Sequence, residues 1–394
     1  MNGRLLYLDG VRGIAALSVV VYHFFCVFVP VAIPDQTASL AAITDTPVGL
    51  LYNGPFAVMV FFVLSGLVVS NAASKSKDSL IVSLVARYVR LAVPATVSLV
   101  VAGILLALMP DVPRQLASAI PHPWFTANRI HLEGGPLLRR SLHTEVFQAF
   151  KYGGPGLNPV LWTMQFELVG SCCLYVCYRA VGDRFRIPIL ALSAAACQIS
   201  MLFPSPHWLE RLPSYTGFFV GALLFEYWSK KRLPSIAPLK MFLVGGLLGA
   251  MHAGFHARMK LATVWHQFVL GNHDGVLYAV GAAMMIYGCI QSRELRWVFS
   301  LPPMKLLGRI SFSLYLIHVP LLITGVAAIY LHWLNQGVSG LLLLFLIFLL
   351  ASVLMAIGLT FAVDEPVLRS IAWLKRAIRM KQERGSATAS ASYV

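Results

Sequence analysis

Long apolar runs separated by short polar joints are the feature that most constrains how this chain folds. A run of about 20 mainly apolar residues is long enough to cross the hydrocarbon core of a bilayer as a helix. Of the 394 residues only 12% are charged, whereas soluble domains have about a quarter. The pattern therefore excludes a soluble globular fold and predicts an all-α, polytopic bundle of membrane-spanning helices.

Ten apolar runs are candidate spans. The first follows Arg4 and could be mistaken for a signal peptide, but it is long and has no clear small-x-small cleavage site. We therefore expect it to be retained as the first span. The approximate ranges are 10–33, 54–73, 91–109, 158–180, 187–204, 214–229, 238–256, 274–291, 311–331 and 340–361.

The distribution of basic residues predicts the orientation. If the N-terminus lies inside, the inner segments hold 22 of the 31 Lys and Arg residues. The positive-inside rule then favours both termini on the cytosolic side. The net charge of +15 is thereby explained by membrane topology, and we expect no nucleic-acid partner.

The sequence predicts two regions, a membrane domain and a cytosolic tail. The membrane domain covers residues 1–370, and a basic, partly disordered cytosolic tail covers 371–394. Within the membrane domain, a large outer segment covers about 110–157 and is the best candidate for contacting an acceptor, with a structural loop as the alternative. The segment contains His122, Arg129, His131, Glu133, Arg139, Arg140, His143 and Glu145.

The six cysteines give no sign of special chemistry. All lie in apolar stretches, and none has CxxC or CxxH spacing. We therefore expect neither a disulfide framework nor a metal site.

Arg12 and His23 are ionisable residues inside the first span. They are eleven residues apart, which is close to three full turns, so both lie on one helix face about 16 Å apart. An ionisable side chain within a span costs roughly 2.5–3.5 kcal/mol and is a functional candidate by default. We interpret Arg12 as a phosphate-binding group and His23 as a base, because histidine exchanges a proton near neutral pH. A packed histidine with an interhelical hydrogen bond is the alternative.

Three polar residues are predicted at similar depth near the middle of the membrane. His23, Ser65 and Glu167 come to this level when each span is measured at 1.5 Å per residue. A carboxylate beside an imidazole orients it and stabilises its protonated form. We therefore expect Glu167 to hold the ring of His23.

Further polar pairs lie in later spans. Arg87 and Arg90 share a helix face, and their two guanidinium groups suit a phosphate clamp, with positive-inside anchoring as the alternative. Ser311 and His318 are seven residues apart and share a face with Tyr315 between them. At the inner end of the last span, Asp364 and Glu365 are carboxylates close to an arginine-rich surface, and structural pairing is the favoured role.

These segments resemble the acyltransferase-3 family of membrane acyltransferases, whose members O-acylate surface polysaccharides and related glycans. The resemblance covers roughly residues 5–370 and consists of six motifs in family order. Val11, Leu67 and Thr163 depart conservatively from the family pattern. The motifs are Leu8-Asp-Gly-Val-Arg-Gly with His23, Phe61-Phe-Val-Leu-Ser-Gly66, Arg87-Tyr-Val-Arg90, Leu161-Trp-Thr-Met-Gln-Phe-Glu167, Ser311 to Pro320, and Glu365-Pro-Val-Leu-Arg369.

The resemblance implies a multi-pass protein of a bacterial inner membrane that moves an acyl group, commonly acetyl, from cytosolic acyl-CoA to a glycan or glycolipid hydroxyl. It implies His23 as the catalytic residue and Arg12, Arg87 and Arg90 as donor-binding residues. We place Glu167 beside His23, with Asp9, Ser65, Trp162, Ser311, Tyr315, His318 and Glu365 in support.

Two other functions remain open at this stage. A glycan or lipid-precursor transporter would move its substrate without acyl-CoA, and no internal repeat is visible to favour it. A membrane sensor or scaffold would leave the alignment of Arg12 and His23 unexplained. The sequence does not identify the acceptor, the acyl length, the oligomeric state, or the choice between direct transfer and an acyl-histidine relay.

Overall fold

The computed structural model describes residues 6–29, 47–120, 142–154, 156–203, 211–250, 275–333 and 337–391, and within these ranges every regular element is a helix. The α-helices are α1 (Leu6–Phe28), α2 (Gly54–Lys75), α3 (Leu80–Leu108), α4 (Val112–Ala119), α5 (Leu142–Lys151), α6 (Thr163–Ala180), α7 (Asp183–Ile199), α8 (Thr216–Ser229), α9 (Pro238–Ala250), α10 (Val276–Gln291), α11 (Arg293–Val298), α12 (Pro302–Leu321), α13 (Ala327–Trp333), α14 (Gly337–Leu359) and α15 (Glu365–Ala391). Four 3₁₀ turns cover Pro47–Tyr52, Pro159–Trp162, Ser200–Leu202 and Leu212–Tyr215, and two π-helical turns cover Leu322–Val326 and Thr360–Asp364.

Seven helical segments in the described part of the chain are long and apolar enough to cross a membrane. They contain α1, α2, α3, α6, α7, α12 with α13, and α14 with the start of α15. The other three predicted spans coincide with α8, α9 and α10, which have 14, 13 and 16 described residues. The all-helical membrane architecture is thus confirmed, whereas the count of ten and the orientation stay predictions.

Two helices begin more than two turns earlier than the hydropathy pattern indicates. α3 begins at Leu80, where the hydroxyl of Ser79 accepts a hydrogen bond from the N–H of Val82, and α12 begins at Pro302. Arg87 and Arg90 in α3, and Lys305 and Arg309 in α12, interrupt the apolar run without interrupting the backbone hydrogen bonds. Apolar runs therefore mark the part of a helix within lipid and miss the part that extends beyond it.

The parallel helices α1 and α12 form the closest helix pair of the site. A Cβ atom added to Gly13 would lie 2.6 Å from the backbone N of Gly308, so no larger residue fits there without a shift. Gly308 faces the backbone of Asp9 just as closely. Small residues of this kind let two membrane helices approach until their backbones touch. The contact aligns the polar faces of α1 and α12 along their length.

Pro320 interrupts the hydrogen-bond ladder of α12. Because proline has no N–H, the carbonyl of Leu316 one turn earlier loses its helical donor. The Nδ2 amide of Asn158 donates to that carbonyl at 2.8 Å. Asn158 directly precedes the 3₁₀ turn that leads into α6. The hydrogen bond from Asn158 to the carbonyl freed by Pro320 thus joins α12 to the start of α6, the helix that carries Glu167.

The C-terminal helix α15 is clamped to the loop between α2 and α3. Asp78 in that loop accepts hydrogen bonds from Arg379 Nε at 2.6 Å and pairs with Lys375 Nζ at 3.0 Å. The hydrogen bond from Arg379, assisted by Lys375, holds the pKa of Asp78 below its usual value. Helix α15 is described as far as Ala391, and the partial disorder that composition predicts for residues 371–394 stays a prediction.

Candidate active site

A pair of histidines joins α1 to α12 at the centre of the site. Nε2 of His318 lies 3.0 Å from Nδ1 of His23, and the ring centroids are 4.9 Å apart. His318 is fully buried, whereas His23 is half-buried. The histidine pair shows that the face of α1 predicted to carry His23 does meet the face of α12 that carries His318.

The hydrogen bonds assign the protons of the neutral pair. Nδ1 of His318 lies 3.1 Å from the carbonyl of Leu314, and a carbonyl can only accept, so this nitrogen carries the proton. Nε2 of His318 is then an acceptor for the Nδ1–H of His23, which also lies 2.9 Å from the carbonyl of Val19. It follows that Nε2 of His23 is the unprotonated nitrogen and has the lone pair that a base requires.

Arg12 lies along the same contact between α1 and α12. Its Nε donates to Ser311 Oγ at 2.8 Å, and its Nη2 donates to the carbonyl of Gly308 at 3.0 Å. Nη2 also lies 3.3 Å from Oδ1 of Asp9, one turn earlier. The structure therefore brings Asp9, Arg12 and Ser311 together and fixes the guanidinium on the wall of the site.

Glu167 does not orient His23. Its Oε1 accepts from Ser65 Oγ at 2.7 Å, and its Oε2 accepts from Arg87 Nη2 at 2.6 Å. Arg87 also donates from Nε to Ser171 at 2.9 Å. The partner we expected for His23 is thus replaced by His318, and Glu167 instead joins α2, α3 and α6 through two nearly buried side chains.

Two cavities meet beside these groups. The larger, of about 340 Å³, extends from Arg309 and Glu365 inward, and the smaller, of about 100 Å³, ends at Tyr315, Thr163 and Glu167. Both are lined by Arg12, Ser65, Arg87, Arg90 and Asp364. The five shared residues form what we call the junction of the two cavities.

Arg90 differs from the other two arginines of the junction. Its guanidinium group makes no hydrogen bond or ion pair with the described residues, although it lines both cavities. Arg12 and Arg87 are already held by protein acceptors. Arg90 therefore has its donors available for an anionic ligand.

Tyr315 lies between the cavities and the histidine pair. Its hydroxyl accepts from Thr163 Oγ1 at 3.1 Å and donates to the carbonyl of Val160 at 2.8 Å. Its ring centroid is 6.0 Å from that of His318. Neither cavity is lined by His23, so the base is separated from the arginine-lined space by the ring of Tyr315 and the second histidine.

Two of the supporting residues have structural positions. Glu365 pairs with Arg309 and with Arg369 at the rim of the larger cavity. Trp162 packs against Phe166, with ring centroids 5.5 Å apart, and lines neither cavity. The ion pairs of Glu365 agree with the structural pairing that the sequence favoured for this segment. The packing of Trp162 places it outside the site.

The outer segment is described in part. His143 is exposed on α5, and the buried Glu145 accepts the N–H groups of Gly156 and Leu157 at 2.8 and 3.2 Å. Glu145 thus holds the chain that leads to Asn158. The other candidates named in this segment, from His122 to Arg140, lie outside the described residues.

Three residues of the site were missed by sequence reasoning. Asp364 was grouped with Glu365 as a structural carboxylate, and Thr163 was noted only as a conservative departure from the family motif. Asn158 was treated as a span boundary. The signal that points to Asn158 is Pro320, because a proline within a span requires a side-chain donor elsewhere.

The comparisons with known proteins agree with this architecture. A family model described as an acyltransferase domain, acyltransferase-3, matches residues 5–361, which is nearly the whole chain. Searches of curated proteins and of solved structures gave no match. The matched region contains the histidine pair and four of the five residues of the junction, and it ends just before Asp364. This chain is therefore a multi-pass membrane protein that belongs to the acyltransferase-3 family.

Proposed function

We propose that the protein transfers an acyl group, acetyl in the simplest case, from cytosolic acyl-CoA to a hydroxyl of an extracytoplasmic glycan or glycolipid. The observation that carries this proposal is the histidine pair on the far side of Tyr315 from two arginine-lined cavities. The cavities supply cationic groups for a phosphate-bearing donor, and His23 supplies an unprotonated nitrogen for an alcohol.

The donor would enter through the larger cavity. Its phosphates would bind Arg90 and the cationic wall formed with Arg12 and Arg87, since paired guanidinium groups match phosphate oxygens. The pantetheine arm would then extend through the junction, and the thioester would pass beside the ring of Tyr315. This route requires the N-in orientation that the basic residues predict.

In the chemical step, Nε2 of His23 would take the proton of the acceptor hydroxyl while the oxygen attacks the thioester carbonyl. The tetrahedral intermediate would expel the CoA thiolate, and the proton on Nε2 would pass to the leaving sulfur. The imidazolium formed in between keeps its Nδ1–H directed at His318 and at the carbonyl of Val19. His318 thus takes the orienting role that a carboxylate has in hydrolytic triads.

The test uses purified protein in lipid nanodiscs with radiolabelled acetyl-CoA and a panel of glycans. We expect His23→Ala to lower transfer by about 100-fold or more, because general acid–base catalysis contributes about 10²–10⁴. His332→Ala is the matched control, since His332 is exposed on α13. Near-normal transfer by His23→Ala would refute the mechanism.

Two further readouts separate the alternatives. Label retained on His23 in the absence of acceptor would replace direct transfer by an acyl-histidine relay. Movement of a labelled glycan across a vesicle membrane without acyl-CoA would favour a transporter.

A further inference from the structure

Asp364 is a buried carboxylate in the junction of the two cavities. It is 7% exposed and lines both cavities together with Arg12 and Arg90. Among the described groups, its Oδ1 atom has no hydrogen-bond partner. A buried acceptor oxygen without a donor is costly within a membrane protein, so its position indicates a ligand group that supplies the donor.

The backbone around Asp364 is held on α12 at both ends of the π-helical turn. Thr360 Oγ1 at its start donates to Ser313 Oγ at 2.8 Å, and Glu365 just after its end pairs with Arg309. A π-helical turn inserts an extra residue into the helix and is frequent at functional sites. The turn places Asp364 in the wall of the junction, while Glu365 lies at the rim of the larger cavity.

The chemistry of the junction restricts what can bind there. Arg90 has donors and no described acceptor, whereas Asp364 has an acceptor oxygen and no described donor. A ligand that satisfies both must present anionic oxygens together with an N–H or O–H group. Inorganic phosphate has both kinds of group on one small ion, whereas a phosphate-bearing molecule with amide N–H groups further along presents them in separate parts, as acyl-CoA does.

We propose that Asp364 is a positioning residue of the donor site, whose Oδ1 accepts a hydrogen bond from an amide N–H of the pantetheine arm of acyl-CoA. The inference rests on the proposed donor. Arg90 binds the phosphate end of the donor, and Asp364 holds the pantetheine arm. The thioester is thereby directed towards Tyr315 and the histidine pair. A structural alternative is a counterion that balances the charges of Arg12 and Arg90.

Binding measurements on purified protein in nanodiscs distinguish these roles. Calorimetry is performed with CoA and with adenosine 3′-phosphate 5′-diphosphate, which has the phosphates and no pantetheine arm. We expect Asp364→Ala to weaken CoA binding about tenfold or more and to leave binding of the nucleotide within twofold. Asp364→Asn, which keeps an acceptor oxygen, should recover most of the affinity for CoA. Asp183→Asn, on an exposed carboxylate at the start of α7, is the control.

A second measurement changes the ligand instead of the protein. CoA analogues methylated at one or the other amide nitrogen lack one N–H each. One of the two should bind the wild type about tenfold more weakly than CoA, and it should bind Asp364→Asn with the same deficit. If Asp364→Ala folds, this analogue and CoA should have equal affinities for that variant.

The outcomes separate this inference from the proposed function. Equal losses for CoA and for the nucleotide in both variants would establish the counterion role and overturn the inference. Unchanged CoA binding in Asp364→Ala, or wild-type binding of both methylated analogues as tightly as CoA, would also overturn it. If the wild type bound neither CoA nor the nucleotide, the proposed donor itself would be refuted.

Discussion

Replacing His318 tests the catalytic unit directly, because it removes the acceptor of His23 without touching the junction. The hydrogen bond between the two rings is 3.0 Å long and strengthens when His23 becomes charged during transfer. A hydrogen bond to a charged group contributes about 1.5–3 kcal/mol. If that energy acts in the transition state, His318→Leu should lower kcat by about 10- to 150-fold.

The same structure predicts that the donor KM changes little. The arginines of the junction contact Ser311, Gly308 and Glu167, and none of them contacts His318. The Nδ1–H of His23 keeps the carbonyl of Val19 as an acceptor, so the substitution leaves no buried donor unsatisfied there. The loss should therefore appear in kcat, with folding intact by size-exclusion chromatography.

The assay is acetyl transfer at saturating acetyl-CoA, with His318→Gln as the matched variant. The side-chain amide of glutamine places an acceptor near the position of Nε2, so His318→Gln should recover part of the rate. A kcat for His318→Leu within threefold of the wild type would refute the orienting role. A loss as complete as that of His23→Ala, unrelieved in His318→Gln, would show that His318 takes part in the chemistry itself.

Three other substitutions test the framework. Glu167→Gln should lower the stability of the protein by about 3–5 kcal/mol, seen as a lower Tm, because it leaves the nearly buried charge of Arg87 without its counterion. Gly13→Val should abolish transfer and change the crosslinking pattern of α1 with α12, since a Cβ already meets the facing backbone. The pKa of Asp78 is lowered in the folded protein. Its contribution to stability is therefore fully present above its unfolded pKa near 3.9 and is lost as the pH falls through its folded pKa. Hydrogen exchange of α15 should therefore rise below that pH in the wild type, and Asp78→Asn should already show the faster exchange at pH 7.

The residues on α1 and α12 were predictable because helix periodicity is a local property. The spacing of Arg12 and His23 puts both on one face, and the spacing of Ser311 and His318 does the same on the second helix. The structure pairs these faces in register, Arg12 with Ser311 and His23 with His318. Neither face by itself identifies its partner, and the two histidines are 295 residues apart in the chain.

The misplacement of Glu167 has a related cause. Counting 1.5 Å per residue estimates the depth of a side chain in the membrane and gives no information on which helix it faces. Glu167 faces α2 and α3, where it binds Ser65 and Arg87. Ser65 was therefore correctly grouped with Glu167, whereas His23 at a similar depth belongs to the contact between α1 and α12.

Asp364 was beyond a sequence argument for a different reason. Its neighbour Glu365 has the same charge and lies in the recognised motif, and periodicity places residues on faces by assuming 3.6 residues per turn. The π-helical turn at Thr360–Asp364 breaks that assumption just before the motif. Faces predicted for residues beyond such a turn are rotated, so the side chain in the cavity wall could not be identified from spacing.

The polar groups that lack protein partners indicate where in the site the donor binds. Arg12, Arg87, Glu167 and His318 lie inside the bundle, and each has a protein partner within 3.1 Å. In a bilayer such groups have no water to replace a missing partner, so their bonds fix the helices in one arrangement. Groups that already have protein partners offer a ligand fewer open donors and acceptors than Arg90 and Asp364 do. The donor is therefore expected at Arg90 and Asp364, and the histidine pair, at the far side of Tyr315, receives the reactive end of the donor.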